Sequence, residues 1–154
     1  MAGEILKIEE VLEREGVFIG PTKGVSMRPL LKTGRDTIVV KKKEKRLSPL
    51  DVALYRRGAD YVLHRVLQVT DTGYIIRGDN CYEDEVVQED LVIGVLTEFF
   101  RKNKHYFVDD KKYLSYVHHR LKNYPLRRFF VRLKGKIRRA FSKVKRLFLK
   151  IFGK

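Results

Sequence analysis

The apolar positions of the chain change period twice. Ile5, Ile8, Val11 and Leu12 recur three and four apart with glutamates between them, so residues 5–15 are expected to form an amphipathic helix, with Gly16 as its stop. Residues 17–19 read as a short strand closed by the Gly20-Pro21 turn signal, and residues 30–36 read as a loop or a single helical turn. Runs rich in Val, Ile, Leu and Tyr then follow at 37–42, 51–56, 61–70, 73–77, 91–100 and 105–108, separated by Gly, Asp or Pro. Each has the length and composition of a strand, and Asp71-Thr72-Gly73 reads as the tight turn of a hairpin. Short strands at this spacing predict a mainly β, α+β body: a curled sheet or partly open barrel with a short N-terminal helix.

Past residue 110 the helical period returns. Residues 112–122 form one expected helix, broken at Tyr124-Pro125 because proline disfavours the helical conformation in the residue before it. Beyond the break Leu126, Phe129, Phe130, Leu133, Ile137, Ala140, Phe141, Val144, Phe148, Ile151 and Phe152 again fall three and four apart, and Lys and Arg fill the other face. The expected organisation is an N-terminal helix over 1–16, a β-rich domain over 17–110 and a basic amphipathic helical tail over 111–154.

Charge deepens that division. The net +15 is not spread evenly: residues 1–110 hold 18 Lys and Arg against all 19 acids, whereas residues 111–154 hold 16 basic residues and no acid. The body is close to neutral and the tail is a polycation that calls for an anionic partner. A phenylalanine-rich stripe adds little to phosphate binding but describes a helix lying in a membrane interface. Each base near an anionic leaflet contributes about 1 kcal/mol. The expected partner of residues 126–152 is therefore an anionic membrane surface, and nucleic acid is disfavoured. The N-terminus carries acids where a secretory signal needs bases, and no apolar run approaches the roughly 20 residues that span a bilayer. A cytoplasmic protein bound peripherally to the inner face of the membrane is expected. Cys81 is the only cysteine, which excludes an intramolecular disulfide and leans towards a reducing compartment.

Candidate chemistry centres on Ser26, presented in Gly24-Val25-Ser26-Met27-Arg28-Pro29. A serine hydroxyl becomes a nucleophile only when a neighbouring base takes its proton. Of the four histidines, His105, His118 and His119 lie late in the chain in charged or helical surroundings. His64 instead shares one face of its strand with Val62 and Val66, and is either a satisfied core residue or a positioned base. An imidazole that becomes cationic in catalysis needs a third group to hold its tautomer. Asp79, in the Gly78-Asp79-Asn80 turn, is the first candidate, with Asp84 and Glu85 close behind in sequence. Such a set would transfer an acyl group to water, with the Ser26 amide as the expected oxyanion donor. Taken singly, the serine and the Gly-Asp-Asn each read as turn residues.

Their order and spacing together resemble the signal peptidase I and LexA-like serine peptidase superfamily, over residues 17–96. Ser26-Met27-Arg28-Pro29 matches its Ser-Met-x-Pro box, and Arg77-Gly78-Asp79-Asn80 its Gly-Asp-Asn box. His64-Arg65 matches the His-Arg of the endoplasmic-reticulum, archaeal and sporulation-type members, where bacterial signal peptidases and LexA-type proteins have lysine. The resemblance implies a curled β core and cleavage of an extended precursor or signal-like peptide, usually after small residues, without metal or cofactor. It implies Ser26 as nucleophile, His64 as base and then acid, Asp79 as the orienting acid, Asp84 or Glu85 as a further acid, and Met27 and Pro29 at the substrate. The chain is expected to depart from the family, with neither its transmembrane anchors nor a helix-turn-helix. The alternative expectation is a catalytically inactive peptide-binding or membrane-scaffold module of the same fold.

Overall fold

The computed structural model describes residues 7–102 and 104–152, and beyond Arg139 the only side chains it describes are those of Phe141 and Ser142. The expected helical positions before Lys7 lie outside the described residues, as do the side chains expected to extend the apolar stripe past Phe141. The chain forms two compact units, one ending at Val117 and the other beginning at His118.

In the first unit α1 (Ile8–Glu15) ends where Gly16 turns left-handed at φ 71° and donates its N–H to the Leu12 carbonyl. Glycine takes that conformation without the steric penalty of a side chain. Eight antiparallel strands follow: β1 (Val17–Pro21), β2 (Asp36–Lys42), β3 (Val52–Arg57), β4 (Asp60–Val69), β5 (Gly73–Arg77), β6 (Glu85–Gln88), β7 (Val92–Arg101) and β8 (Lys104–Phe107). They make one curled sheet in the order β1-β2-β7-β3-β4-β5-β6, with β8 also on β7. Mainly β character, the curled sheet and the N-terminal helix all agree with the sequence reading. Strand β6 is new to it. Its four residues include only one buried side chain, Val87, too little alternation to register as a strand.

Strand β7 is the hub, pairing with β2, β3 and β8. The core on one face gathers Tyr55, Val66, Tyr74, Ile76, Val87 and Val92, and Tyr74 accepts a 3.0 Å hydrogen bond from the Leu47 amide through its hydroxyl. Registers Ala53↔His64 and Tyr55↔Val62 place His64 and Tyr55 on that same face. Arg65↔Arg77 then brings the residue after β5, Gly78, beside His64.

Helix α2 (Lys111–Lys122) begins in the first unit, where Tyr113 and Val117 are buried. Asn123 separates it from α3 (Tyr124–Phe152), so Pro125 sits in the first turn of α3 rather than in a break. A first-turn N–H has no intrahelical acceptor, and proline there loses nothing. In the second unit Leu126, Phe129, Phe130, Leu133, Ile137 and Phe141 of α3 are all exposed, between 40 % and 72 %.

Removing the Ile76 side chain, fully buried between β4 and β6, should destabilise the fold by about 2–5 kcal/mol. Val86→Ala on the exposed face of β6 should stay within about 0.5 kcal/mol of the parent. Urea-denaturation midpoints of Ile76→Ala and Val86→Ala check this pair.

Candidate active site

Ser26 lies on a loop fastened at both ends. Thr22 donates its amide to the Asp36 carbonyl at 3.2 Å, and the Thr33 hydroxyl donates to the Gly24 carbonyl at 2.8 Å. Met27, Leu30 and Leu31 of this loop are buried, and the buried Asp36 carboxylate accepts from Arg35 at 2.6 Å and from the Lys32 amide at 2.9 Å. The Arg28-Pro29 peptide is cis.

The Gly-Asp-Asn turn holds the backbone around Ser26. Asn80 donates its amide to the Ser26 carbonyl at 2.6 Å and its side chain to the Val25 carbonyl at 3.2 Å. Gly78 is needed there for space. A β-carbon on it would lie 2.8 Å from the Ser26 carbonyl oxygen, 2.9 Å from His64 Nε2 and 2.9 Å from Cys81 Sγ. Serine loop and imidazole therefore meet across a residue that has no side chain.

His64 is 2 % exposed. Its Nδ1 faces the Tyr55 hydroxyl at 3.2 Å and Glu85 Oε1 at 3.3 Å. Tyr55 donates its own proton to Glu85 Oε2 at 2.8 Å, so the phenol oxygen presents a lone pair to the imidazole and the carboxylate can only accept. Both partners require the proton on Nδ1, leaving Nε2 as the bare nitrogen. Nε2 is buried and has no hydrogen-bond partner among the described residues, so the Ser26–His64 hydrogen bond is unformed. Burial pushes the His64 pKa below its ordinary value and Arg57 adds to this, while the negative charges of Glu85 and Asp79 oppose it. At neutral pH His64 is a neutral base. Burial and the bond to Glu85 raise the Tyr55 pKa, so Tyr55 keeps its proton.

The acids divide differently from the expectation. Asp79, expected to orient His64, is gripped by Arg65, which donates from Nε to Oδ1 and from Nη2 to Oδ2, each at 2.8 Å. Tyr116 of α2 adds a 3.0 Å bond to Asp79 Oδ2. A guanidinium fork matches a carboxylate at two points, which gives Arg65 the geometric advantage over an imidazole. It is Glu85, carried in by β6, that faces Nδ1. Asp84 accepts from Arg77 at 2.8 Å with half its side chain in solvent. Arg65 itself is 1 % exposed and completes its bonds through Nη1 to the Leu50 carbonyl and the Tyr113 hydroxyl, both at 2.9 Å. Burial works against its charge, but Asp79 outweighs this and holds the Arg65 pKa above its ordinary value.

Beside Ser26 opens a cleft of about 560 Å³ whose walls include Phe18, Met27, Ile38, Leu54 and Val62. Of the two residues expected at the substrate, Met27 lines this cleft and Pro29 is exposed and outside its lining. Among the described residues no group of three or more His, Cys, Asp or Glu could hold a metal ion. No protein-family model and no curated protein matches the chain.

Two predictions follow from the buried charges. Asp79→Ala leaves the Arg65 cation buried and uncompensated, and should lower stability by about 3–5 kcal/mol, whereas Asp84→Ala at the surface should cost about 1 kcal/mol or less; thermal unfolding of the two variants compares them. Because the folded His64 pKa is depressed, its contribution to stability is complete above the unfolded imidazole value of about 6.5 and is lost as pH falls from there through the folded pKa. Tm should decline between neutral and mildly acidic pH more steeply in the parent than in His64→Phe.

Proposed function

We propose that this chain is a serine endopeptidase with Ser26 as nucleophile and His64 as base. The observation that carries the reading is the pair of unlike nitrogens on His64: Nδ1 committed to Tyr55 and Glu85, and Nε2 bare beside the Ser26 loop. Ser26 attacks a peptide carbonyl as its proton passes to Nε2. The imidazolium is stabilised by Glu85, directly and through the Tyr55 hydroxyl, and then gives its proton to the departing amine. Water hydrolyses the acyl-enzyme by the same route in reverse. An unformed Ser26–His64 bond is compatible with this role, since catalytic hydrogen bonds often tighten only as substrate binds. Asp79 acts from further back, fixing the turn that carries Gly78 and Asn80.

The substrate in this reading is an extended peptide. Among the described residues strand β1 ends the sheet, with β2 as its neighbour in the strand order, and Ile19 on it is exposed. A peptide added to that edge gains main-chain hydrogen bonds and can lower side chains into the apolar cleft beside Ser26. The expected family is the one named from the sequence motifs, and the curled antiparallel sheet supports it at the level of fold class alone.

A second reading, a non-catalytic peptide-binding module of the same fold, draws on the unformed Ser26–His64 bond. A fluorophosphonate probe separates the two. The parent should be labelled at Ser26, and His64→Ala and Gly78→Ala should slow labelling by roughly 10²-fold or more. Glu85→Gln should slow it less and move the acid limb of its pH profile downward, since Glu85 raises the His64 pKa. A folded parent that resists the probe ends the peptidase reading in favour of the binding module.

A further inference from the structure

We infer that α3 docks lengthwise on an anionic lipid bilayer, its apolar stripe among the acyl chains and its basic flanks on the headgroup phosphates. At 3.6 residues per turn, Leu126, Phe129, Phe130, Leu133, Ile137 and Phe141 fall within an arc of about 120°, and each is exposed. The basic residues sort to either side of that arc. Arg127, Lys134 and Arg138 border one edge, Arg132 and Lys136 the other, and Arg128 and Arg139 project from the back. Cations bordering a stripe on both edges can reach phosphates while the stripe is immersed, which is the arrangement of an interfacial helix. No described helix is long and apolar enough to cross a membrane, so the geometry is one of lying on the surface.

Charge selects lipid over the other occupants. A second copy of this chain would bring the same polycation, 16 basic residues and no acid over residues 111–154, against its twin. Nucleic acid would satisfy the cations and leave three phenylalanines, two leucines and an isoleucine in water. An anionic leaflet satisfies both faces at once, and its surface potential draws the basic residues in.

The inference is independent of the peptidase reading and is tested on the full chain by co-sedimentation with vesicles at physiological salt. Phosphatidylcholine vesicles containing phosphatidylglycerol should bind it about tenfold or more tightly than phosphatidylcholine alone. The double variant Phe129→Ser/Phe130→Ser keeps every charge and should lose about tenfold or more of that binding; circular dichroism checks that its fold is intact. Equal binding by this variant reduces the contact to charge alone and overturns the insertion. So does a chain that ignores anionic vesicles, leaving an acidic protein groove as the occupant, or one that duplex DNA strips from the vesicles. Probe labelling of Ser26 reads the catalytic site separately, so failure of either result leaves the other standing.

Discussion

The constraint on which the site depends is a charge pair taken out of water. Arg65 and Asp79 are almost wholly buried, and an ion so placed persists only if nearly every donor and acceptor around it is used. Arg65 reaches Asp79, Leu50 and Tyr113, and Asp79 also receives Tyr116. These bonds tie β4, the turn after β5 and the start of α2 to one point. With the turn fixed, Asn80 can hold the Ser26 carbonyl and Gly78 can lie against His64. Such a pair contributes little net stability compared with a hydrophobic replacement; what it supplies here is a single geometry for three elements.

The same burial gives the imidazole its character. Two carboxylates approach from different directions and are treated differently. Asp79 is matched by a full guanidinium inside the protein, while Glu85 is shared with Arg57 near the surface. The more lightly compensated acid is the one beside Nδ1. His64 is thereby kept neutral by desolvation and retains a nearby negative charge that would stabilise a protonated ring. Tyr55 adds direction, because a hydroxyl already committed to Glu85 can only accept from the ring.

Much of the fold was legible because the strands alternate and their turns are marked by Gly, Asp and Pro; seven of the eight strands were readable, most within a residue or two of their ends. The eighth, β6, was hidden by its brevity and by Val86, 79 % exposed. That omission concealed the role of Glu85, whose position beside Nδ1 depends on β6 pairing with β5. Strand alternation assigned His64 to the apolar face correctly, but it would send Arg65 to solvent. Arg65 is buried because α2 covers that side through Tyr113, a tertiary contact without a local signature. Tyr55 read only as a strand aromatic, and Gly78 as a turn residue; its want of a side chain matters through neighbours distant in sequence.

Tyr116, bonded to Asp79, and Leu126, the first residue of the exposed stripe, are ten residues apart. Even drawn out fully, that length of chain reaches only ~35 Å. If α3 docks as inferred above, chain length alone would keep Tyr116 within that distance of the stripe, in a thin layer of solvent above the lipid headgroups. Within such a layer encounter frequency follows the number of peptides per unit area of membrane rather than per unit volume, and a short leash raises the effective concentration of whatever shares that surface. Under both proposals selectivity would come partly from altitude: a peptide held within the layer would be met repeatedly, and the same sequence far from the bilayer would seldom be met at all.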